Sequence, residues 1–388
     1  MDRWRSLRES IPALQDQIYL NTGVSGPPPA AVLDEERRWA ERLGRLGPGR
    51  PDVLAEADAE LERVRQAIAG LLGAGPDEVA LTRSCSEGLA IVAAGLPWQP
   101  GDEVIVSDLE HISGLLPWYQ LARERGVIVR RLSRTRGMIT ADEVAGAVSP
   151  RTRLICMSHV AYNTGAVLPV ADVAEIARKR KIWLLVDGAQ GPGQMPVNVR
   201  ELGCHFYACA GQKWLLGPDG TGALFVDREV LENVAVTRIS WAAVARESEP
   251  AERFRLHETA RRFEVAGYHV PSLAALGRAV TLWHELGPDR AQDRIRELVG
   301  RLREGLARIP GVEIIGPDDE TRRSGLVVFR LPGVDAERAV RLLWERHRIV
   351  CRWLPDPKAV RASVHAFTDE ADVDRLALAA AELVHEEH

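Results

Sequence analysis

From about residue 58 to residue 226 the chain alternates short apolar runs rich in β-branched residues with stretches whose apolar residues recur every three or four positions. Strands alternating with helices in this way predict a mainly parallel sheet covered by helices on both faces. The runs VALT near 79, EVIVSD near 103, VIVRRLS near 127, RLICMSH near 153, IWLLVD near 182, HFYAC near 205 and GALFV near 222 supply seven strands. Helices are expected over 58–72, 86–95, 113–125, 141–148 and 170–181, each with one apolar face. The periodicity weakens between 228 and 268, and a long helical stretch then begins at Pro271 and Ser272, residue types suited to a helix start. Helices over 290–308, 335–346 and 370–386 and strands near 312, 325, 349 and 361 complete a smaller α/β unit. The expected organisation is an N-terminal arm (1–30), a large domain (31–268), and a bridging helix with a small C-terminal domain (269–388).

Ligands of open parallel sheets bind beyond the carboxyl ends of the strands, so the residues following each strand are where chemistry is sought. Here they are polar: Thr82 to Gly88, Glu110-His111, Ser158-His159, Asp187-Gly188-Ala189-Gln190 and Gly211-Gln212-Lys213-Trp214. The first segment sets hydroxyls at a helix start, where free N–H groups and the helix dipole favour a phosphate. A capping box from Ser84 to Glu87 explains the same residues without a ligand. Asp187 ends an apolar run, and a buried carboxylate there needs a cation or several hydrogen bonds. A pyridinium N–H is one such cation; a helix cap or a metal is another account. His111 is placed either to stack on a planar cofactor or to start a helix.

Only four of the 50 basic residues are lysines, Lys179, Lys181, Lys213 and Lys358. Three lie in charged or loop segments, whereas Lys213 sits between apolar and glycine-rich stretches. Desolvation would lower its pKa and suit it to imine formation with an aldehyde cofactor. The GPDGTG that follows fits neither GxGxxG nor a Walker loop and reads as a turn.

Together these segments resemble the class V aminotransferase family of fold-type I enzymes dependent on pyridoxal 5'-phosphate (PLP), which includes cysteine desulfurases, cyst(e)ine C–S lyases and isopenicillin N epimerase-like proteins. The resemblance runs from IYLNTGVSGPPP through TRSCSEG, EHISGLLPW, SHVAYNTGAVLP, VDGAQ and GQKWLLGPDGTGALFV to RRFEV and VRASV. It implies an α/β fold with a large seven-stranded domain and a small C-terminal one, PLP as cofactor, and a homodimer. It also implies roles: Cys85 and Ser86 on the phosphate, His111 stacked on the pyridine, Asp187 on its nitrogen, Gln190 on the ring hydroxyl and Lys213 as the Schiff-base lysine. Arg361 would grip the substrate carboxylate, as a planar guanidinium fork suits. Asn21 and Thr22 would line the entrance.

The sequence also departs from the family pattern. Gln212 replaces the usual histidine beside the lysine, Ala210 a phosphate-binding serine, and Tyr162 a frequent asparagine, with Asn163 adjacent and within reach of the ring. Gly267-Tyr268 stands where glycine-threonine would meet the partner subunit's phosphate. Between Arg352 and Arg361 the segment is only WLPDPKAV, without the longer cysteine-bearing loop of desulfurases. Cys351 falls in an apparent strand, IVCRW, and reads as a small buried residue. Lacking a mobile thiolate, the chain is expected to be a carbon–sulfur β-lyase acting on cystine, cysteine or a related amino acid, with Lys213 taking the Cα proton. An epimerase or transaminase would use the same carbanion. A non-catalytic PLP-binding regulator would be expected to carry a DNA-binding segment, for which the sequence leaves no room before IYLNTG.

The formal net charge of −5, with both signs interspersed, offers no basic stripe for nucleic acid. No 18 apolar residues run together, and the N-terminus has no apolar signal core, so no membrane span or secretion is expected. Five cysteines without a CxxC pair suggest free thiols in the cytoplasm, and no metal site is expected.

Overall fold

The structure is a computed structural model and describes residues 3–135, 137–245 and 251–386. A short helix α1 (Arg3–Glu9) and a two-residue strand β1 (Ile18–Tyr19) lead into two long helices, α2 (Ala30–Leu46) and α3 (Pro51–Leu72). Helix α3 opens on Pro51, whose missing N–H costs nothing in a first turn. It closes on Gly73 at φ +67°, the left-handed conformation that ends many helices.

All seven expected strands form one sheet: β2 (Val79–Thr82), β3 (Glu103–Ser107), β4 (Ile128–Leu132), β5 (Thr152–Ser158), β6 (Trp183–Asp187), β7 (Phe206–Ala210) and β8 (Gly222–Val226). Their order is β2-β8-β7-β6-β5-β3-β4, and β8 alone runs against the rest. Helices α4 (Cys85–Gly95), α5 (Ile112–Arg125), α6 (Ala141–Ala147), α7 (Val170–Arg180) and α8 (Val199–Leu202) intervene. Alternate strand residues feed two cores, as a period of two requires. Leu81, Ile105, Ile155, Val186 and Phe225 join one, with α3 and α7; Ala80, Val104, Leu154, Leu185 and Leu224 join the other, with α4 and α5. Edge strand β4 is only partly buried and accordingly carries Arg130 and Arg131.

Beyond the sheet come α9 (Val270–Leu286), α10 (Pro288–Ala307), β9 (Glu313–Ile315), β10 (Leu326–Arg330), α11 (Ala336–His347), β11 (Ile349–Val350), β12 (Arg352–Pro355), β13 (Lys358–Ser363) and α12 (Glu370–His385). A second, antiparallel sheet has the order β12-β13-β10-β9. Two expectations need correction. IVCRW is not one strand: β11 pairs in parallel with β1, β12 pairs with β13, and Cys351 is the buried break between them. Helix α2 was not foreseen; it packs Val32 against Ala275 and Ala279 of α9.

Candidate active site

Every strand of the large sheet except β8 points its carboxyl end toward the same edge, and there the polar segments converge. They line a cavity of about 460 Å³ whose other wall is the β12–β13 hairpin. Cys85, Ser86, His111, Asp187, Gln190, Gln212, Lys213 and Arg361 all reach it. Lys213 follows β7 on a loop closed by the Leu216 N–H donating to its carbonyl at 3.1 Å. Burial pushes its amine below the ordinary lysine range, and Arg361 pushes the same way, against the pull of Asp187.

Asp187 ends β6. Its Oδ1 accepts the Ala189 N–H at 2.9 Å and the Cys85 thiol at 3.2 Å. Cys85 also donates to the Ala208 carbonyl at 3.3 Å, so its side chain faces Asp187 rather than an anion at the helix start. That redirects the Cys85 expectation: what remains for a phosphate is the backbone start of α4 and the neighbouring Ser86. Ser84 caps α4 by accepting the Glu87 N–H at 3.1 Å, but the box is displaced by one residue, since the Glu87 carboxylate accepts from Arg83 N–H at 2.7 Å. His111 caps α5, and its Nδ1 accepts the Ser113 N–H at 3.3 Å, which leaves hydrogen on Nε2. Burial, then the charge of Lys213, lowers its pKa, so the ring is neutral, and it meets Tyr162 edge-on at 5.2 Å.

Gln190 is oriented by two partners. Trp214 Nε1 donates to its Oε1 at 2.6 Å and its Nε2 donates to the Gly23 carbonyl at 2.8 Å. The amide therefore keeps its second Nε2 hydrogen and one Oε1 lone pair free of protein partners. Gln212 Oε1 is buried without a protein partner. Asn163 does not line the cavity: its Nδ2 donates to the Asp108 carbonyl at 3.2 Å, and Tyr162 occupies the wall instead. Asn21 and Thr22 likewise stand back from the entrance, which Gly23 and Val24 form; Thr22 is fully buried and Asn21 bridges to Ser363. In each case the chain passes the cavity one or two residues from the expected position.

Arg361 lies in β13, buried, with Nη1 donating to the Tyr162 carbonyl at 3.1 Å and with Nε and Nη2 free of protein partners. Burial, then the neighbouring Arg352, brings it down to about 10. Arg352 is its direct cross-strand partner in β12, lines the same cavity and makes no ion pair among the described residues. Like charges set opposite each other in a sheet repel, and an anion between them would relieve that repulsion. Gly23 leaves the room: a Cβ there would sit 3.0 Å from Ser363 Oγ and 3.2 Å from Arg361 Nη2. Arg352, Tyr162, Gly23, Ser158 and Trp214 are site residues that the sequence reading did not assign; only strand register reveals Arg352.

These residues fit PLP. A buried amine beside a strand-end carboxylate, a neutral imidazole, a single amide N–H and a helix start surround one cavity, and the unpartnered arginine nitrogens await a carboxylate. A larger cavity of about 610 Å³ beside α1 is lined by groups already paired, such as Arg8 with Asp369 and Arg294 with Glu370. No cluster suited to a metal ion occurs among the described residues, and no helix there is long and apolar enough to cross a membrane.

The family model described as aminotransferase class-V matches residues 18–376. Isopenicillin N epimerase of Streptomyces clavuligerus is 35% identical, with 96% of each chain covered. A probable cysteine desulfurase of Methanothermobacter thermautotrophicus is 30% identical over 96% of each. The chain is also similar to C-DES, 29% identical in two solved structures. One, a mutant with glycine covalently linked to the PLP cofactor, has a TM-score of 0.92 over 97% of this chain and 99% of that one. The other, the cystine C–S lyase with its product cysteine persulfide, has a TM-score of 0.90 over 96% and 99%.

Proposed function

The chain belongs to the aminotransferase class-V family of PLP-dependent enzymes acting on amino acids, and within it we propose a carbon–sulfur β-lyase for cystine, cysteine or a related amino acid. One observation carries the choice: all five cysteines are buried, and burial raises every thiol, Cys204, Cys209 and Cys351 to about 12 and Cys85 and Cys156 well above the usual value. A persulfide-forming desulfurase needs an accessible thiolate, and none is offered.

When bound, PLP supplies an aldehyde for the substrate amine and a protonated ring that accepts the electron pair left at Cα. Asp187 would hold the proton on the ring nitrogen, and Gln190 would give its free N–H to the ring oxygen. The substrate carboxylate would lie on the unpartnered Nε and Nη2 of Arg361. Lys213, its amine held below the ordinary lysine range by burial, would take the Cα proton on Nζ, and the Cβ–S bond would break as the electron pair moves toward Cβ. L-cystine and water would thereby give pyruvate, ammonia and cysteine persulfide. Arg352 favours a substrate with a second, distal carboxylate, as cystine has.

A second reading, epimerisation, is favoured by the 35% identity to isopenicillin N epimerase over 96% of the chain. The reactions separate on products: with L-cystine or L-cysteine as substrate, pyruvate supports the lyase, alanine with released sulfur supports a desulfurase, and recovery of substrate with altered configuration supports an epimerase. Pyruvate formation should vanish in Lys213→Ala.

We read the assembly as a homodimer, because exposed Val24 and Ile112 at the cavity mouth continue into Leu116 and Tyr119 along α5, apolar surface suited to burial against a second copy. Free cysteines suit the cytoplasm. We propose an arm over 1–30, a large domain over 31–268 and a small domain over 269–388, a division supported by the separation in sequence of the seven-stranded sheet from the four-stranded one.

A further inference from the structure

Glu110 is a buried carboxyl that the reaction above leaves unused, only 2% exposed in the turn after β3. Ser107 Oγ donates to its Oε1 at 2.6 Å, and Ser158 Oγ donates to its Oε2 at 2.6 Å. Ser107 Oγ also accepts the Leu109 N–H at 3.2 Å, which leaves its own hydrogen for Glu110. A proton arriving on Glu110 is therefore directed to Oε2. There Ser158 must become the acceptor, and its own hydrogen must turn elsewhere.

Ser158 lines the cavity and is the in-register neighbour of Asp187 on the adjacent strand. Gly114, in the first turn of α5, packs near both residues: a Cβ there would be 3.6 Å from Asp187 Oδ2 and 3.8 Å from Glu110 Cβ. Besides Asp187 on β6, the titratable groups next to Glu110 are the Cys156 thiol from β5 and His111, which follows it in the chain and caps α5.

We propose that Glu110 is a positioning residue acting through Ser158: protonated, it turns the Ser158 hydroxyl hydrogen into the cavity, and ionised, it draws that hydrogen back and leaves Ser158 an acceptor there. Burial, opposed by the two serine hydrogen bonds and reinforced by Asp187, raises Glu110 to about 7, so the switch operates near neutrality. The inference rests on the reading of this cavity as the PLP site.

The test is the absorbance of the PLP-loaded protein followed against pH through neutrality, in wild type, Glu110→Gln and Ser158→Ala, with melting temperature and cofactor content recorded for each. The wild type should show an inflection near neutral pH that is lost in both variants. No inflection in wild type, or one retained in both variants, overturns the proposal. Loss in Glu110→Gln but retention in Ser158→Ala also overturns it, since Glu110 would then act on Asp187 by charge alone. Where Glu110→Gln does not fold, Ser158→Ala decides by the same criterion. Lys213→Ala checks the underlying reading separately: the absorbance of cofactor held by Lys213 must disappear whatever Glu110 does.

Discussion

The two guanidiniums facing one cavity make unequal predictions. Arg361 is buried with two nitrogens unpartnered, and a charge-assisted hydrogen bond contributes about 1.5–3 kcal/mol, so Arg361→Ala should raise KM for any amino-acid substrate by about 10- to 100-fold. Arg352→Ala should raise KM for L-cystine several-fold more than for L-cysteine, because only the former carries a distal carboxylate. Equal effects on the two substrates would contradict the role given to Arg352. Trp214 acts one residue from Lys213: Trp214→Phe keeps an aromatic side chain, smaller than indole, but removes the N–H that fixes Gln190, leaving a buried acceptor unsatisfied at a cost of about 1–3 kcal/mol. The cofactor dissociation constant measured by fluorescence or dialysis should rise about tenfold.

At the scale of elements, the β12–β13 hairpin is one wall of the cavity, and Arg134 after β4 fastens its tip. Its Nη2 reaches Asp356 Oδ1 at 2.7 Å and its Nη1 reaches Oδ2 at 3.2 Å. The pair is half open to solvent and stabilises the fold by at most about 1 kcal/mol. Arg134→Ala should therefore leave the melting temperature nearly unchanged while raising KM several-fold; unchanged KM would show that the hairpin needs no fastening. The elements were legible in proportion to how fully they are buried. Six of the seven strands read clearly because two-sided burial demands continuous apolar runs such as IWLLVD, while the partly buried edge strand β4 read only from the β-branched VIV at its start. Asp187, Lys213 and His111 drew attention as polar residues at the ends of such runs, with a cap or metal open for Asp187 and a helix start for His111, whereas Arg361, inside β13, came from the family resemblance alone. Asn21, Thr22 and Asn163 misled because a loop can pass a cavity one residue earlier or later with no trace in residue type. Arg352 was hidden in the cross-strand register, and helix α2 in a polar sequence whose buried face is little more than Val32 and Trp39.

For the molecule as a whole, one buried ion pair ties α3 to the loop before α9. Arg65 pairs with Glu264, which also accepts from the Leu81 N–H at 2.8 Å and from the Tyr268 hydroxyl. Removing one partner strands the other charge, so Arg65→Met should lower unfolding free energy by about 3–5 kcal/mol in denaturant titrations. Glu110 makes stability depend on pH in a direction opposite to most carboxylates. Its folded pKa, about 7, exceeds its ordinary 4.5, so the folded state binds the proton more tightly. This contribution is fully present below about 4.5 and is lost as pH rises through about 7. Glu110→Gln should remove that fall, giving a flatter stability profile across the window than wild type. The central claim, elimination performed by Lys213 without a cysteine nucleophile, is tested most directly by measuring pyruvate from L-cystine with wild type, Cys351→Ala and Lys213→Ala side by side. Equal pyruvate from the first two and none from the third is the predicted result. Loss of turnover in Cys351→Ala, with alanine as the wild-type product, would contradict it.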